Sequence, residues 1–279
     1  MRRADELRKG VDEIPWYHSI HLGHGVVTPG DSKTIPLTAK QLPDFSGRSV
    51  LDIGAWDGYY SFLAERRGAS RVVALDHYVW GVDFGARQAY WEECRSRGVL
   101  PDLERDVTDF WRPETLPGRR AFDFAHEALH SRVEPVVGNF LEVEPDSIGR
   151  FDIVLFLGVL YHLPEPLAGL RSVRELTKEV AVIETEAIEV LGYPSPNLLL
   201  FFPGDELGGD FTNWYVPTLP ALHAWCRAAG FGRVETKMHL RPFGRGEPLR
   251  WLPMRARRFV ARFGREAIRH HRVVVHAFV

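Results

Sequence analysis

Two acids and two glycines in the segment SVLDIGAWDGYYSFLAERRGASRVVALDHY, residues 49–78, are spaced to hold a nucleoside. Asp52, Gly54 and Gly58 form D-x-G-x-x-x-G, and Asp76 closes the apolar run that follows. Glycine lacks a Cβ, so the backbone of such a turn comes close to a ligand. An acid at the end of the second strand, about twenty residues on, accepts hydrogen bonds from both hydroxyls of a ribose. Asp52 is positioned either to meet an ammonium group or to hold the turn. A pyrophosphate cradle requires G-x-G-x-x-G, which is absent from this segment.

The elements that position these residues follow from apolar pattern and punctuation. The expected order is a helix over about 2–12, a Pro- and Gly-rich lid to residue 47, a strand at 49–53, a helix at 58–67 and a strand at 71–75. Residues 79–131 exceed the length of one helix and hold two helical pieces, GARQAYWEECRSRG and FDFAHEALHS. Strands follow at 134–137 and 151–158; the second, FDIVLFLG, is a continuous apolar run after Asp152, as in a central parallel strand. A helix at 165–178, a strand at 179–186, an irregular stretch at 190–217, a helix ending at Gly230 and strands at 234–240 and 272–279 complete the alternation. Alternation of this kind indicates an α/β sheet.

Composition narrows the function classes. A hydrophobic fraction of 45% and a charged fraction of 26% describe an ordinary globular chain. The net charge of −2 gives no global pull toward nucleic acid or an anionic membrane. Cys94 and Cys226 are too far apart for a metal or redox motif, so a reducing, cytoplasmic setting is expected. The N-terminus lacks the apolar core of a signal peptide. His18, His21 and His24 recur every third residue, but the Gly-rich context is not helical and supplies no further ligand, so no metal is expected. Basic charge is almost all arginine, the mark of a GC-rich genome.

Taken in order, LDIGAWDGYYSF, FDIVLFLGVLYHLPEPLAGL, AVIETE and NWYVPTLPALHAWCRAAGF resemble a known family. It is the bacterial tRNA wobble-uridine family (5-methoxyuridine-34 and carboxymethyltransferases) among the class I S-adenosylmethionine (SAM) methyltransferases. The likeness covers roughly residues 13–240 and the final strand. It implies an α/β, Rossmann-like, seven-stranded class I methyltransferase sheet with helices on both faces and an antiparallel last strand. The N-terminal lid would be 1–47 and the SAM-binding domain 48–279, with inserted helices at 79–131, an acceptor loop at 190–217 and C-terminal decorations. The resemblance implies cofactor contacts from Gly54, Asp76, His77, Tyr78, Asn139, Phe140, Leu157, Tyr161 and Arg272, with Asp52 and Gly58 completing the turn. Lys33 lies near a cofactor-contacting lysine of the family. Two departures stand out. Glu13 occupies the place of the lysine that pairs with the extra carboxylate of carboxy-SAM, and an anion there repels that carboxylate. Leu163 and Pro164 replace an arginine pair. Ordinary SAM is therefore the expected cofactor.

Each candidate also has a plain structural reading. Asp76 could cap a helix, and Asn139 could make a turn. Tyr161 and His162 follow the fourth strand, where carboxyl ends face a ligand crevice; they are candidate catalytic residues with Glu184, though His162 is equally readable as a structural histidine. Alternation puts Glu184 and Glu186 on one side of their strand. His18, Glu186, Trp214 and Tyr215 are candidate acceptor contacts; the aromatic pair could instead pack its loop onto the next helix. The run Arg250, Arg255, Arg257, Arg258, Arg262, Arg265 and Arg269 reads as an amphipathic helix with a solvated face, or as a phosphate or membrane contact. Methyl transfer needs alignment more than a triad or a metal. The expected function is methylation of a small-molecule acceptor in specialised, natural-product metabolism. The alternatives are tRNA wobble-uridine modification and SAM binding without turnover.

Overall fold

The computed structural model describes residues 2–30, 35–190, 197–239 and 268–279. Lys33 and the arginine run up to Arg265 lie outside the described residues. Seven strands form the main sheet: β1 (Ser49–Ile53), β2 (Arg71–Asp76), β3 (Glu134–Val137), β4 (Phe151–Leu157), β5 (Thr177–Val190), β6 (Arg233–His239) and β7 (Ile268–Phe278). Their spatial order is β6-β7-β5-β4-β1-β2-β3. β1, β2 and β3 pair in parallel, whereas β7 pairs antiparallel with both β5 and β6. The seven strands and the reversed last strand agree with the sequence expectation. Contacts divide the chain into two compact units, Met1–Leu155 and Phe156–Val279.

In the first unit, β1 and β4 are largely apolar on both faces because both faces are covered. Val50, Leu51, Ile153, Val154 and Leu155 are fully buried. Helix Arg2–Asp12 brings Val11 into the core, and the Trp16 indole donates back to the Val11 carbonyl. Helix Phe84–Arg97 begins at Asp83, whose side chain accepts from the Ala86 N–H, and ends at left-handed Gly98. Helix Arg120–Leu129 buries Phe122 against Trp80, with ring centroids 4.9 Å apart. The lid is more regular than its composition suggests: His21–Gly23 pairs with Val26–Val27, and a short helix covers Ile35–Ala39.

In the second unit, helix Pro166–Leu176 buries Leu170 and Val173, and helix Leu219–Ala228 buries Leu222 and Cys226. β5 runs to Val190, longer than expected, because β7 pairs with it along its whole length. The stretch expected to be irregular contains the antiparallel pair Leu199–Phe201 and Tyr215–Pro217. Among the described residues no helix is long and apolar enough to cross a membrane.

Candidate functional site

The carboxyl ends of β1, β2 and β3 lie side by side in the first unit. Ile53 pairs with Leu75 and Asp76 with Val137, so Gly54, Asp76 and Gly138 open from the same edge. The Gly54 N–H donates to the Leu75 carbonyl at 2.8 Å, and the Gly138 N–H to the Asp76 carbonyl at 3.1 Å. Gly58 must be glycine: its φ is +85°, and a Cβ there would stand 2.5 Å from Phe62 and 2.7 Å from Phe122. Asp76 is 4% exposed. Its Oδ2 accepts from the Trp56 N–H at 3.0 Å, and its Oδ1 from the N–H groups of Val79 and Trp80 at 3.0 and 3.4 Å. Asp76 thus caps helix Tyr78–Gly81 and ties that helix to the glycine turn. The His77 N–H also acts on this carboxylate, so four backbone donors surround its roughly four lone-pair sites, and a ribose hydroxyl would share them with the turn.

Asp52 is also buried, and its Oδ2 accepts from the Ser61 hydroxyl at 2.6 Å. That bond fixes the start of helix Tyr59–Arg66, so holding the turn accounts for Asp52 without a ligand. Burial pushes the carboxyls of both Asp52 and Asp76 up to about 6. The ordinary value is 3.8, so between 3.8 and about 6 the native state binds more protons than the unfolded chain. Stability therefore falls as pH rises through that window and levels off above it. Asp52→Asn keeps an oxygen for Ser61 and removes one of the two charges. It should stabilise the protein at pH 8 by roughly 2–3 kcal/mol and flatten the decline between pH 4 and pH 8. Urea unfolding at the two pH values checks this; identical slopes in both proteins would refute it.

Asp57, within the same turn, is not marked by its type or spacing in the sequence. It is fully buried and holds the segment Tyr17–Gly30. One oxygen accepts from the backbone N–H groups of His18 and Tyr17 at 2.7 and 3.2 Å, and the other contacts His18 Nδ1. The His18 carbonyl accepts from the Thr28 hydroxyl at 2.6 Å, and Gly30 packs so closely on the His18 backbone that a Cβ there would collide with it. Tyr17 stacks on Trp56 at 4.0 Å, and His18 on Tyr59 at 5.3 Å. The three-residue histidine series is therefore not a cluster: His18 faces Asp57, His21 lies on a strand and His24 sits at φ 51° in the hairpin turn.

Other first-unit candidates are locally engaged. The Asn139 Oδ1 accepts from the Leu141 N–H and its Nδ2 donates to Glu142, both at 3.1 Å, which is a turn-forming role. Phe140 is buried. His77 lies 4.5 Å from the Trp111 ring, and burial lowers its pKa. The Tyr78 hydroxyl meets Arg87, whose guanidinium lies 5.1 Å from the Tyr78 ring and 4.3 Å from Trp91. Arg87 and Trp111 stand outside every recognisable motif, so no sequence signal marks them.

In the second unit the expected polar residues do come together. β5–β7 pairing sets Arg272 opposite Glu186, with Glu184 on the same face. Arg272 forks onto Glu184 at 2.5 and 2.6 Å, lies 3.5 Å from Glu186 and from the Tyr161 hydroxyl, and sits 5.2 Å over the Tyr161 ring. Glu184 is committed to this pair, whereas Glu186 makes only long contacts, to Arg272 and, at 3.5 Å, to His270. Leu157 ends β4, and Gly158 follows with φ +74° beside Tyr161. His162 Nδ1 is 2.9 Å from the Thr212 hydroxyl, which donates to Asp210 at 2.6 Å. Trp214 donates its N–H to the Tyr161 carbonyl and its ring stacks parallel to Phe201, which also faces Tyr215. The aromatic pair thus packs on strand Leu199–Phe201.

Known proteins are similar to this chain in sequence and in fold. The tRNA U34 carboxymethyltransferases of Pseudomonas putida (strain W619) and Pseudomonas syringae pv. tomato are each 30% identical over 200 residues, 69% of this chain and 48% of theirs. The chain therefore spans about half the length of the curated relatives it matches. The N-terminal domain of EvdMO1, crystallised in the presence of SAH and D-fucose, is similar in fold, with a TM-score of 0.59, 16% identity and coverage of 100% of this chain and 97% of that one. Residues 31–236, more than half of the chain, match the methyltransferase-domain family, so this protein is a member of that family, whose methyl donor is S-adenosylmethionine.

Proposed function

We propose that the protein transfers the methyl group of SAM to a hydroxyl of a small-molecule acceptor in specialised metabolism. The observation that carries this reading is the clasp of Tyr17–Gly30 onto the glycine turn through buried Asp57. A segment tied down at that edge suits an enclosed acceptor better than a bulky nucleic acid. The crystallisation of the EvdMO1 domain with a sugar, D-fucose, is in keeping with such a substrate.

When bound, SAM supplies a sulfonium methyl group already activated for displacement. The residues of the chain then have three tasks. Gly54 and Gly58 let the turn approach the amino-acid end of the cofactor, and Asp76 takes its ribose. Phe140 borders the adenine. His18 stands on the acceptor side and excludes water with Tyr17 and Trp56. In the second unit, Arg272 keeps Glu184 for itself and engages Glu186 only at 3.5 Å.

The names of the curated relatives favour a second reading, methylation at the tRNA wobble uridine. Salt separates the two. Contacts to phosphate release counterions, so tRNA binding should fall steeply between 50 and 200 mM salt, by about 10³-fold or more for six or more contacts. Gel shifts with tRNA carrying 5-hydroxyuridine at the wobble position, and mass-spectrometric detection of methylation against a panel of small hydroxylated compounds, decide the matter. The small-molecule reading predicts weak tRNA binding and no modified base; tight, salt-sensitive binding with methylation of that base would overturn it. Competition binding tests the cofactor separately: carboxy-SAM should bind no better than SAM.

A further inference from the structure

We propose that His18 is the proton acceptor for the transfer and that Asp57 is the residue that positions it; this rests on the small-hydroxyl reading above. His18 is 6% exposed and Asp57 is fully buried. The imidazole points Nδ1 at one Asp57 oxygen, while the other oxygen holds the His18 backbone N–H at 2.7 Å. Nδ1 donating to that oxygen leaves the lone pair on Nε2. Nε2 has no hydrogen-bond partner among the described residues, although nine-tenths of the ring is covered.

The ring is also fixed in orientation. Tyr59 stacks on it at 5.3 Å, Tyr60 meets it edge-on at 5.8 Å and Tyr17 edge-on at 4.7 Å. Its backbone is locked by Thr28 and by the close approach of Gly30. Asp52, at the end of β1, is the second carboxylate that senses its charge. A buried imidazole with one nitrogen committed to a buried carboxylate, the other basic and its plane held by three rings is built to receive a proton.

The step balances without a co-reactant. A lone pair on the acceptor oxygen forms the new C–O bond while the carbon–sulfur bond breaks and its electrons return to sulfur. The hydroxyl proton moves to His18 Nε2. The resulting imidazolium is neutralised by Asp57 and later releases its proton to solvent. Asp57 does not touch the acceptor; it fixes the tautomer and stabilises the cation.

Nitrogen-15 NMR of the imidazoles in the full chain saturated with SAH reads the tautomer directly. The expected result is a protonated Nδ1 and a bare Nε2 at His18, with that pattern lost in Asp57→Asn. Calorimetry with SAH should show His18→Gln within about threefold of wild type, since the ring serves the acceptor and not the cofactor. With the hydroxylated acceptor that turns over in the screen above, His18→Ala should lose about 10²-fold or more in kcat with little change in KM, and added imidazole should restore part of it. An Nε2–H tautomer at His18, or a tenfold loss of SAH affinity in His18→Gln, would overturn the proposal. Failure of wild-type protein to bind SAH at all would instead strike the SAM-dependent reading itself.

Discussion

Asp76→Ala should weaken SAH binding by roughly 2–3 kcal/mol, about 30- to 100-fold, because a charged acceptor is lost from a buried hydrogen-bonded site. The same change strips acceptors from the N–H groups of Trp56, Val79 and Trp80, so the turn loosens as the ribose contact is lost. Asp76→Asn separates the two effects. It keeps an oxygen for Val79 and Trp80 but sets an amide N–H₂ against the Trp56 N–H. Calorimetry with SAH on protein shown to be folded is the measurement. Full affinity in Asp76→Ala would mean that this carboxylate serves the turn alone and that the ribose is held elsewhere.

The second large effect is expected at Glu184. Its side chain is 5% exposed and takes both prongs of the Arg272 fork. Removing one partner of a buried pair leaves an uncompensated charge, so Glu184→Ala should destabilise the protein by about 3 kcal/mol. Thermal unfolding followed by circular dichroism would show a clear drop in midpoint. A change within a few tenths of a kcal/mol would show that the fork contributes little. Glu186→Gln, at the looser carboxylate, should leave the midpoint nearly unchanged. The contrast would separate the two acids: Glu184 holds β5 to β7, and Glu186 stands outside that fork.

What the sequence discloses follows from where the forces are local. β1 and β4 announce themselves because burial on both faces demands apolar runs, interrupted within them only by Asp52 and Asp152. The glycine turn is legible because Gly58 alone tolerates its φ and its neighbours. The lid is harder to read, since its order depends on a carboxylate in the turn nearly forty positions away, as in the bond from His18 N–H to Asp57. Nothing in the string WYHSIHLGHG names that partner. The strands Leu199–Phe201 and Tyr215–Pro217 escape notice for a related reason: each has three residues, and only pairing with the other makes it a strand. Asn139 and Asp76 can be placed at strand ends, but the use of their side chains cannot, because capping and ligand binding draw on the same chemistry. Tyr161 and Arg272 are drawn together by resemblance; β5–β7 register sets Arg272 opposite Glu186, and Tyr161 meets it from the turn after β4.

Trp56 carries a consequence for how the turn comes into being. It has φ 50°, in the left-handed region that a bulky side chain avoids. Glycine would rest there at no steric penalty; tryptophan is held there from outside. Asp76 accepts its N–H, and the buried Trp80 indole donates to its carbonyl at 2.6 Å. Both anchors arrive with β2 and the helix after it. A peptide covering 49–68 would hold the glycines and lack both anchors. The turn's shape therefore belongs to the assembled sheet and not to the loop sequence alone: what receives a ligand here is completed by the strand and helix that follow it.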